Sequence, residues 1–326
     1  MVHGDDFIFV GPKEALLKLK NTMKIKHGIK YQMLSDGSAM EVLVLNRRIR
    51  WGYDGIEYIP DDKHGRMIAK EFGVEQGRAV ETTGCKDEVG MDGRELDREE
   101  ARCYRANVAR GNYMGLDRPD LQFAIKEAAK AMAKPTTDDV QKLKRVAKYV
   151  ATYPNAVTLY RWSCNGNVLH GYSDSDWAGD KKTRQSTSGG CLVLAGCILK
   201  SWSRTQRQRA LSSGEAELYA AVRTIQEMLG LRSLARELGW EVRCNLRLDA
   251  RATIGMLMRR GVGSLRHVEL NQLWVQDVVA DKTVSVEKVK SEENVADMLT
   301  KYVSPLVYRK LLAKVGIRRL ERGEIS

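Results

Sequence analysis

The chain has no Cys-x-x-Cys pair. Its six cysteines (Cys85, Cys103, Cys164, Cys191, Cys197 and Cys244) are scattered, and its five histidines form no His-x-x-x-His. Neither a zinc site nor a disulfide framework is supported, and a reducing compartment is expected. No apolar run approaches the ~20 residues that cross a bilayer, so no membrane partner is expected. The opening MVHGDDFIFV lacks the basic n-region, long apolar h-region and small-residue cleavage site of a secretory signal. An intracellular location, cytoplasmic or nuclear, is the expectation. Internal repeats, low-complexity tracts and charge runs long enough to form a disordered tail are also missing.

What is present is an ordinary globular balance, 43% apolar and 29% charged over 326 residues, which leaves room for about two domains. The net charge of +12 favours nucleic acid or an anionic membrane surface over acidic protein partners, although a solvated basic surface would give the same total. Basic residues gather at 47–50, 142–148, 204–209 and 318–322, separated patches that suggest a track across a folded surface.

Residues 1–60 start with a short apolar strand pattern broken by Gly4-Asp5-Asp6, and helical spacing follows over 14–23. Such a start suits a fragment. EVLVLNRRIRW reads as one strand and GIEYIP as its hairpin partner, with Asp54-Gly55 supplying the turn. A helix is expected over 61–72. Residues 76–97 are rich in Gly, Thr and charge and read as a linker. Helices over 99–114, 119–132 and from the Thr136/Asp138 cap to about 152 follow.

From Leu159 the texture changes to short apolar runs separated by turns. VLHGYSDSDW, GGCLVLAG and CILKSWS read as strands, then a long helix over 214–238, the strand CNLRLDA, helices over 253–260 and 268–279, the strand TVSVEKVK and a helix from Asn294. Three successive strands suit an antiparallel meander, and the later alternation needs parallel crossovers, so an α/β fold with a mixed sheet is expected.

In this region Asp174 ends the apolar part of a strand, Glu217 lies near the start of the long helix, Asp249 closes CNLRLDA, and Asp297 lies in ENVADMLTK. Open α/β sheets place their sites at strand ends, where acids from separate elements can converge. Converged carboxylates repel and raise each other's pKa unless hard divalent cations neutralise them. Mg²⁺ suits such an all-oxygen set, and two ions about 4 Å apart activate water against a phosphodiester. A lone Asp or Glu at such a position is usually a cap or dipole partner, and Asp176 and Glu215 compete with Asp174 and Glu217. Spacing leaves that choice open.

The ordered set GYSDSDWAGDKKTRQSTSGG, SWSRTQRQRALSSGEAELYAA, LDARATI and ENVADMLTK resembles the ribonuclease H domain of copia-type retrotransposon polyproteins. The resemblance implies a ribonuclease H fold, a five-stranded mixed sheet flanked by helices. It further implies Asp174, Glu217, Asp249 and Asp297 as metal-binding catalytic acids, two Mg²⁺ ions with Mn²⁺ as a substitute, and an RNA–DNA hybrid as substrate. Asp176 and Glu215 become supporting residues. One departure stands out: the family commonly has Asn-Gln after the third acid, whereas Ala250 and Arg251 follow Asp249 here. Ser212, Ser213, Lys200, Arg204, Arg207 and Arg209 are candidates for nucleic-acid contact, His267 for an auxiliary role, and Trp177 and Trp202 for base stacking or core packing.

VHGDDF resembles the reverse-transcriptase hairpin in which two adjacent acids bind metal, here Asp5 and Asp6. The block YRANVARGNYMGLDRPDLQFAIKEAAKAMAKPTTDDVQKLKRVAKYV resembles the segment joining polymerase to ribonuclease H in that family. The expected organisation is an incomplete α+β reverse-transcriptase palm/thumb over 1–90, a helical connection over 91–160 and ribonuclease H over 161–316. Polymerase activity is not expected from this chain alone, and the rest of a Pol polyprotein is an implied partner. A catalytically decayed, nucleic-acid-binding remnant is the alternative.

Overall fold

A computed structural model of the chain describes residues 2–4, 6–35, 40–84, 93–162, 166–261, 263 and 270–324. A minimal hairpin, β1 (Val2–His3) and β2 (Asp6–Phe7), and helix α1 (Lys13–His27) lead into strands β3 (Glu41–Val44), β4 (Arg47–Trp51) and β5 (Gly55–Ile59). The run expected as one strand is therefore two. Leu45 and Asn46 take φ of 47° and 65°, the consecutive left-handed pair that a tight two-residue hairpin turn needs.

The helices α2 (Lys63–Glu71), α3 (Arg98–Met114), α4 (Gln122–Lys130) and α5 (Thr137–Thr152) follow. Their starts are locally encoded. Asp97 with Glu100, and Thr136 with Asp139, form reciprocal capping boxes at α3 and α5, and Pro119 opens the 3₁₀ turn leading into α4. Of the expected linker, 85–92 lie outside the described residues. The part before them is tied down rather than free: Thr82 and Thr83 are buried, the Val80 N–H donates to Thr152 Oγ1 at 3.2 Å, and Gly84 lies so close to the Tyr302 ring that a Cβ would meet it at 2.4 Å.

Next come β6 (Asn155–Arg161), β7 (Val168–Asp176), β8 (Thr187–Leu194), β9 (Cys197–Thr205), α6 (Ser213–Glu237), β10 (Arg243–Leu248), α7 (Arg251–Met258), α8 (Leu270–Ala280) and β11 (Val284–Lys288). The chain ends in α9 (Pro305–Lys314) and β12 (Ile317–Leu320). One sheet has the order β11-β10-β7-β8-β9, with β7-β8-β9 antiparallel and β10 parallel to both β7 and β11. This is the expected α/β class, with the five-stranded mixed sheet that the resemblance implies.

The expected helix from Asn294 is instead a pair of 3₁₀ segments, Ser291–Glu293 and Val295–Leu299. Asn294 separates them with an extended ψ of 104°. Its amide donates to Ser173 O at 2.9 Å while its side-chain oxygen accepts from Ala296 N, so the residue is bolted to β7 and cannot continue a helix.

The two faces of the mixed sheet are covered differently. Leu169, Leu192 and Leu246 pack under α6, which rides close to the strands because Gly171 and Gly190 leave room for Met228, Thr224 and Trp202. On the opposite face Tyr172, Cys191, Val193 and Ile198 join Val295, Met298 and Leu299, the helices α2 to α5, and α9 in one core. That core draws on all three of the segments 1–90, 91–160 and 161–316. A second sheet, all antiparallel in the order β12-β6-β5-β4-β3, pairs residues 41–59 with 155–161 and these with 317–320, so it ties the first two segments to the residues just beyond the third. Among the described residues no helix is long and apolar enough to cross a membrane.

Candidate active site

The acids meet where the β7–β10 ladder gives out. Pairing between these strands ends at Arg247–Tyr172, so β7 continues past it with that edge open. Asp249 follows directly on the end of β10, and Asp174 lies on β7, 3% exposed. Glu217, a full turn inside α6, reaches across so that its Oε1 accepts the Ser175 N–H at 3.1 Å. Asp174, Glu217 and Asp249 each bring a carboxylate oxygen within 4.8 Å of the others.

Asp297 approaches from the other side of Asp174 on the 3₁₀ segment. Gly189, directly opposite Asp174 in the β7–β8 register, lets that segment press on the sheet: a Cβ there would lie 2.6 Å from Thr300 Cγ2 and 2.9 Å from Leu299 Cβ. The Thr300 hydroxyl donates to Asp174 Oδ2. Lys301 Nζ lies 3.1 Å from Asp297 Oδ2 and 3.6 Å from Asp174 Oδ2.

Burial and mutual repulsion raise the pKa values of Asp174, Glu217 and Asp297. The Asp174 carboxyl is pushed up to about 7, first by burial and then by the charge of Asp297. Glu217 is pushed up to about 9 by burial and by Asp174. Asp297 is raised by burial against the pull of Lys301. Burial disfavours the Lys301 ammonium, but Asp174 and Asp297 outweigh it and raise its pKa. Glu217 Oε2 and Asp297 Oδ1 are buried with no hydrogen-bond partner among the described residues. Carboxylates that are buried, crowded and short of donors fit a hard divalent cation with oxygen ligands.

The two rival acids sit differently. Glu215 holds the loop before α6, accepting from Leu211 N at 2.9 Å and from the Tyr219 hydroxyl. Asp176 is half-buried at the rim, and its carboxylate lies against Gly179, where a Cβ would meet Oδ2 at 1.7 Å. Ser212 is spent as the α6 N-cap, accepting from Glu215 N at 3.2 Å, whereas Ser213 is exposed. Arg204, Arg207, Arg209 and Arg251 are exposed, and Lys200 pairs with Glu227. Trp202 is core at 6% exposure, while Trp177 is 47% exposed with its Nε1 donating to Ala210 O at 3.0 Å. Asp6 is exposed on β2. Asp5 and His267 lie outside the described residues.

Sequence reasoning missed the cations. Lys301 stands four residues after Asp297, a spacing that was legible in ADMLTK. Nothing local marks Lys126 and Lys130 of α4, which the fold carries to the same rim. Lys126 donates to Thr187 Oγ1 at 2.8 Å and Lys130 lies 3.3 Å from Asp180. Burial pushes Lys126 down to about 8.

No family model matches the chain. Curated relatives do. The retrovirus-related Pol polyprotein from transposon RE1 of Arabidopsis thaliana is 31% identical over 67% of this chain, which spans 15% of that polyprotein. The Pol polyprotein from transposon TNT 1-94 of Nicotiana tabacum is 25% identical over 93% of this chain and 23% of its own length. An uncharacterised mitochondrial protein of Arabidopsis thaliana, AtMg00810, is 38% identical over 38% of this chain and 52% of its own length. Among solved structures, LC11-RNase H1 isolated from compost is 16% identical, covering 45% of this chain and 99% of that one at a TM-score of 0.31. An N-terminal RNase H domain from Mycobacterium tuberculosis is 13% identical, covering 44% of this chain and 96% of that one at a TM-score of 0.29. With these relatives, the chain belongs to the copia-type family of retrovirus-related Pol polyproteins of transposons.

Proposed function

We propose that this chain is an endoribonuclease that hydrolyses the RNA strand of RNA–DNA hybrids, using two Mg²⁺ ions for which Mn²⁺ can substitute. One observation carries the reading: Asp174, Glu217 and Asp249 converge from three separate elements within 4.8 Å. A structural role does not account for burying such a group with an orphaned carboxylate oxygen on Glu217. Asp174, Glu217 and Asp249, with Asp297 beside them, would hold the ions. When bound, the ions supply Lewis acidity and lower the pKa of water toward neutrality.

The protein's own part is positioning. Thr300 and Asn294 fix Asp174 and the Asp297 segment against β7. Ser175 fixes Glu217. Exposed Ser213, Arg204, Arg207, Arg209 and Trp177 flank the α6 N-terminus, where hydroxyl, guanidinium and ring suit sugar, phosphate and base respectively. The remainder of a Pol polyprotein is the natural protein partner, since the relatives are several times longer.

Asp174→Asn is expected to abolish Mg²⁺-dependent cutting of labelled RNA–DNA hybrid while largely sparing hybrid binding. Wild-type turnover in that variant would reject the assignment. A second reading, a decayed nucleic-acid-binding remnant, draws on Arg251, which is exposed beside Asp249 at the start of α7. It predicts salt-dependent hybrid binding without any Mg²⁺-dependent cutting by the wild-type chain.

A further inference from the structure

We propose that Lys301 is a tethered counter-ion occupying one flank of the carboxylate cluster, so that the two flanks take divalent cations unequally. This inference rests on the metal-dependent reading above. The cluster is lopsided. Between Asp174 and Asp297 stands the Lys301 ammonium, 3.6 Å and 3.1 Å from their Oδ2 atoms. On the other side Asp174, Glu217 and Asp249 converge within 4.8 Å, and among the described residues neither Glu217 nor Asp249 makes a salt bridge.

The backbone under Lys301 is anchored. Val295, Ala296, Leu299 and Thr300 are completely buried, Gly189 seats their segment on β8, and Thr300 is bonded to Asp174. The Lys301 side chain is 36% exposed, and a lysine stem is flexible, so the ammonium can swing out but stays tethered nearby at high effective concentration. A cation entering among Asp174, Glu217 and Asp249 finds two carboxylates that hold no ion pair among the described residues, beside the one Lys301 also touches. One entering between Asp174 and Asp297 must first displace the ammonium.

The first ion therefore binds on the Glu217–Asp249 flank, and the second flank opens only when Lys301 finds another anion. A phosphate of a bound nucleic-acid strand is the anion such a site presents. Lys301 then acts as a positioning residue that ties the second cation to substrate arrival.

The test counts Mn²⁺ bound to the full chain without nucleic acid, from the electron paramagnetic resonance signal of the free ion. Wild type and Lys301→Arg, which keeps a cation, are expected to bind one ion tightly and a second weakly. Lys301→Ala and Lys301→Met, the latter preserving the stem, are expected to bind the second at least about tenfold more tightly, as removal of a nearby positive charge requires. Identical ion counts and affinities in Lys301→Met and wild type would overturn the proposal, as would loss of the tight ion in Lys301→Met. Hybrid cutting is read separately. A chain with the Lys301-dependent asymmetry that fails to cut keeps this inference and sinks the nuclease reading, and a cutting chain without the asymmetry does the reverse.

Discussion

Without a metal ion, the carboxylate cluster should destabilise the fold, and Asp174→Asn should relieve it. Asp174 is 3% exposed, and its pKa rises from 3.8 to about 7 on burial beside Asp297. For an acid whose folded pKa is raised, the folded state binds the proton more tightly than the unfolded chain. The folded protein is thus unburdened below pH ~4, loses stability as pH climbs toward 7, and carries the full penalty above that. A rise of about three units corresponds to on the order of 4 kcal/mol. Asparagine keeps the shape and an oxygen to accept from Thr300, but carries no charge. At roughly 2 °C per kcal/mol for a chain of this size, Asp174→Asn should melt several degrees above wild type at pH 8 in chelator. The gap should close by pH 4. Saturating Mg²⁺ should reverse the order, because the wild type gains binding energy that the variant forgoes. Melting curves at pH 4, 6 and 8, with chelator and with Mg²⁺, check this. A variant no more stable than wild type in chelator at pH 8 would refute the reasoning.

Three further outcomes follow from packing. Gly189→Ala puts a Cβ 2.6 Å from Thr300, so it should cost about 1–3 kcal/mol in denaturant melts and lower hybrid cutting by moving the segment that carries Asp297. Arg118 is fully buried against Asp120 at 2.7 Å, with Tyr149 at 2.9 Å from the same carboxylate; Arg118→Ala strands that acid and should cost about 3–5 kcal/mol by urea unfolding. The segment 161–316 expressed alone should fold poorly and bind a hydrophobic dye, because Tyr172, Val193, Ile198, Met298 and Leu299 lose the cover of α2 to α5. A cooperative melt of that segment at the temperature of the full chain would count against the shared core.

Much of the mixed sheet and of the helices was legible because these elements are locally encoded. Apolar runs of strand length, the capping boxes at Asp97 and Thr136, and the long α6 can each be read from neighbouring residues. The second sheet was legible only in part: EVLVLNRRIRW and GIEYIP read as strands, whereas β6 and β12 did not. Strand β12 is only four residues long and carries Arg318 and Arg319, which read as a basic patch; it becomes strand by pairing with β6, far away in the chain. The split between β3 and β4 hid behind Leu45, a residue that rarely takes a positive φ. The 3₁₀ winding at Asp297 depends on Asn294 reaching Ser173, a contact 121 residues away.

For the acidic cluster, the sequence by itself determined the chemistry on offer: which acids stand at strand and helix ends, in an order that resembles one family. Only the tertiary structure decided what those acids experience. Asp174, Glu217 and Asp249 were already candidates, but the end of the β7–β10 ladder and the glycine opposite Asp174 bring them together and bury the first two. Lys301 became part of the site for the same reason. A side chain's charge is written in the sequence, whereas its pKa and its partners depend on burial and distance, which exist only once the chain has closed on itself.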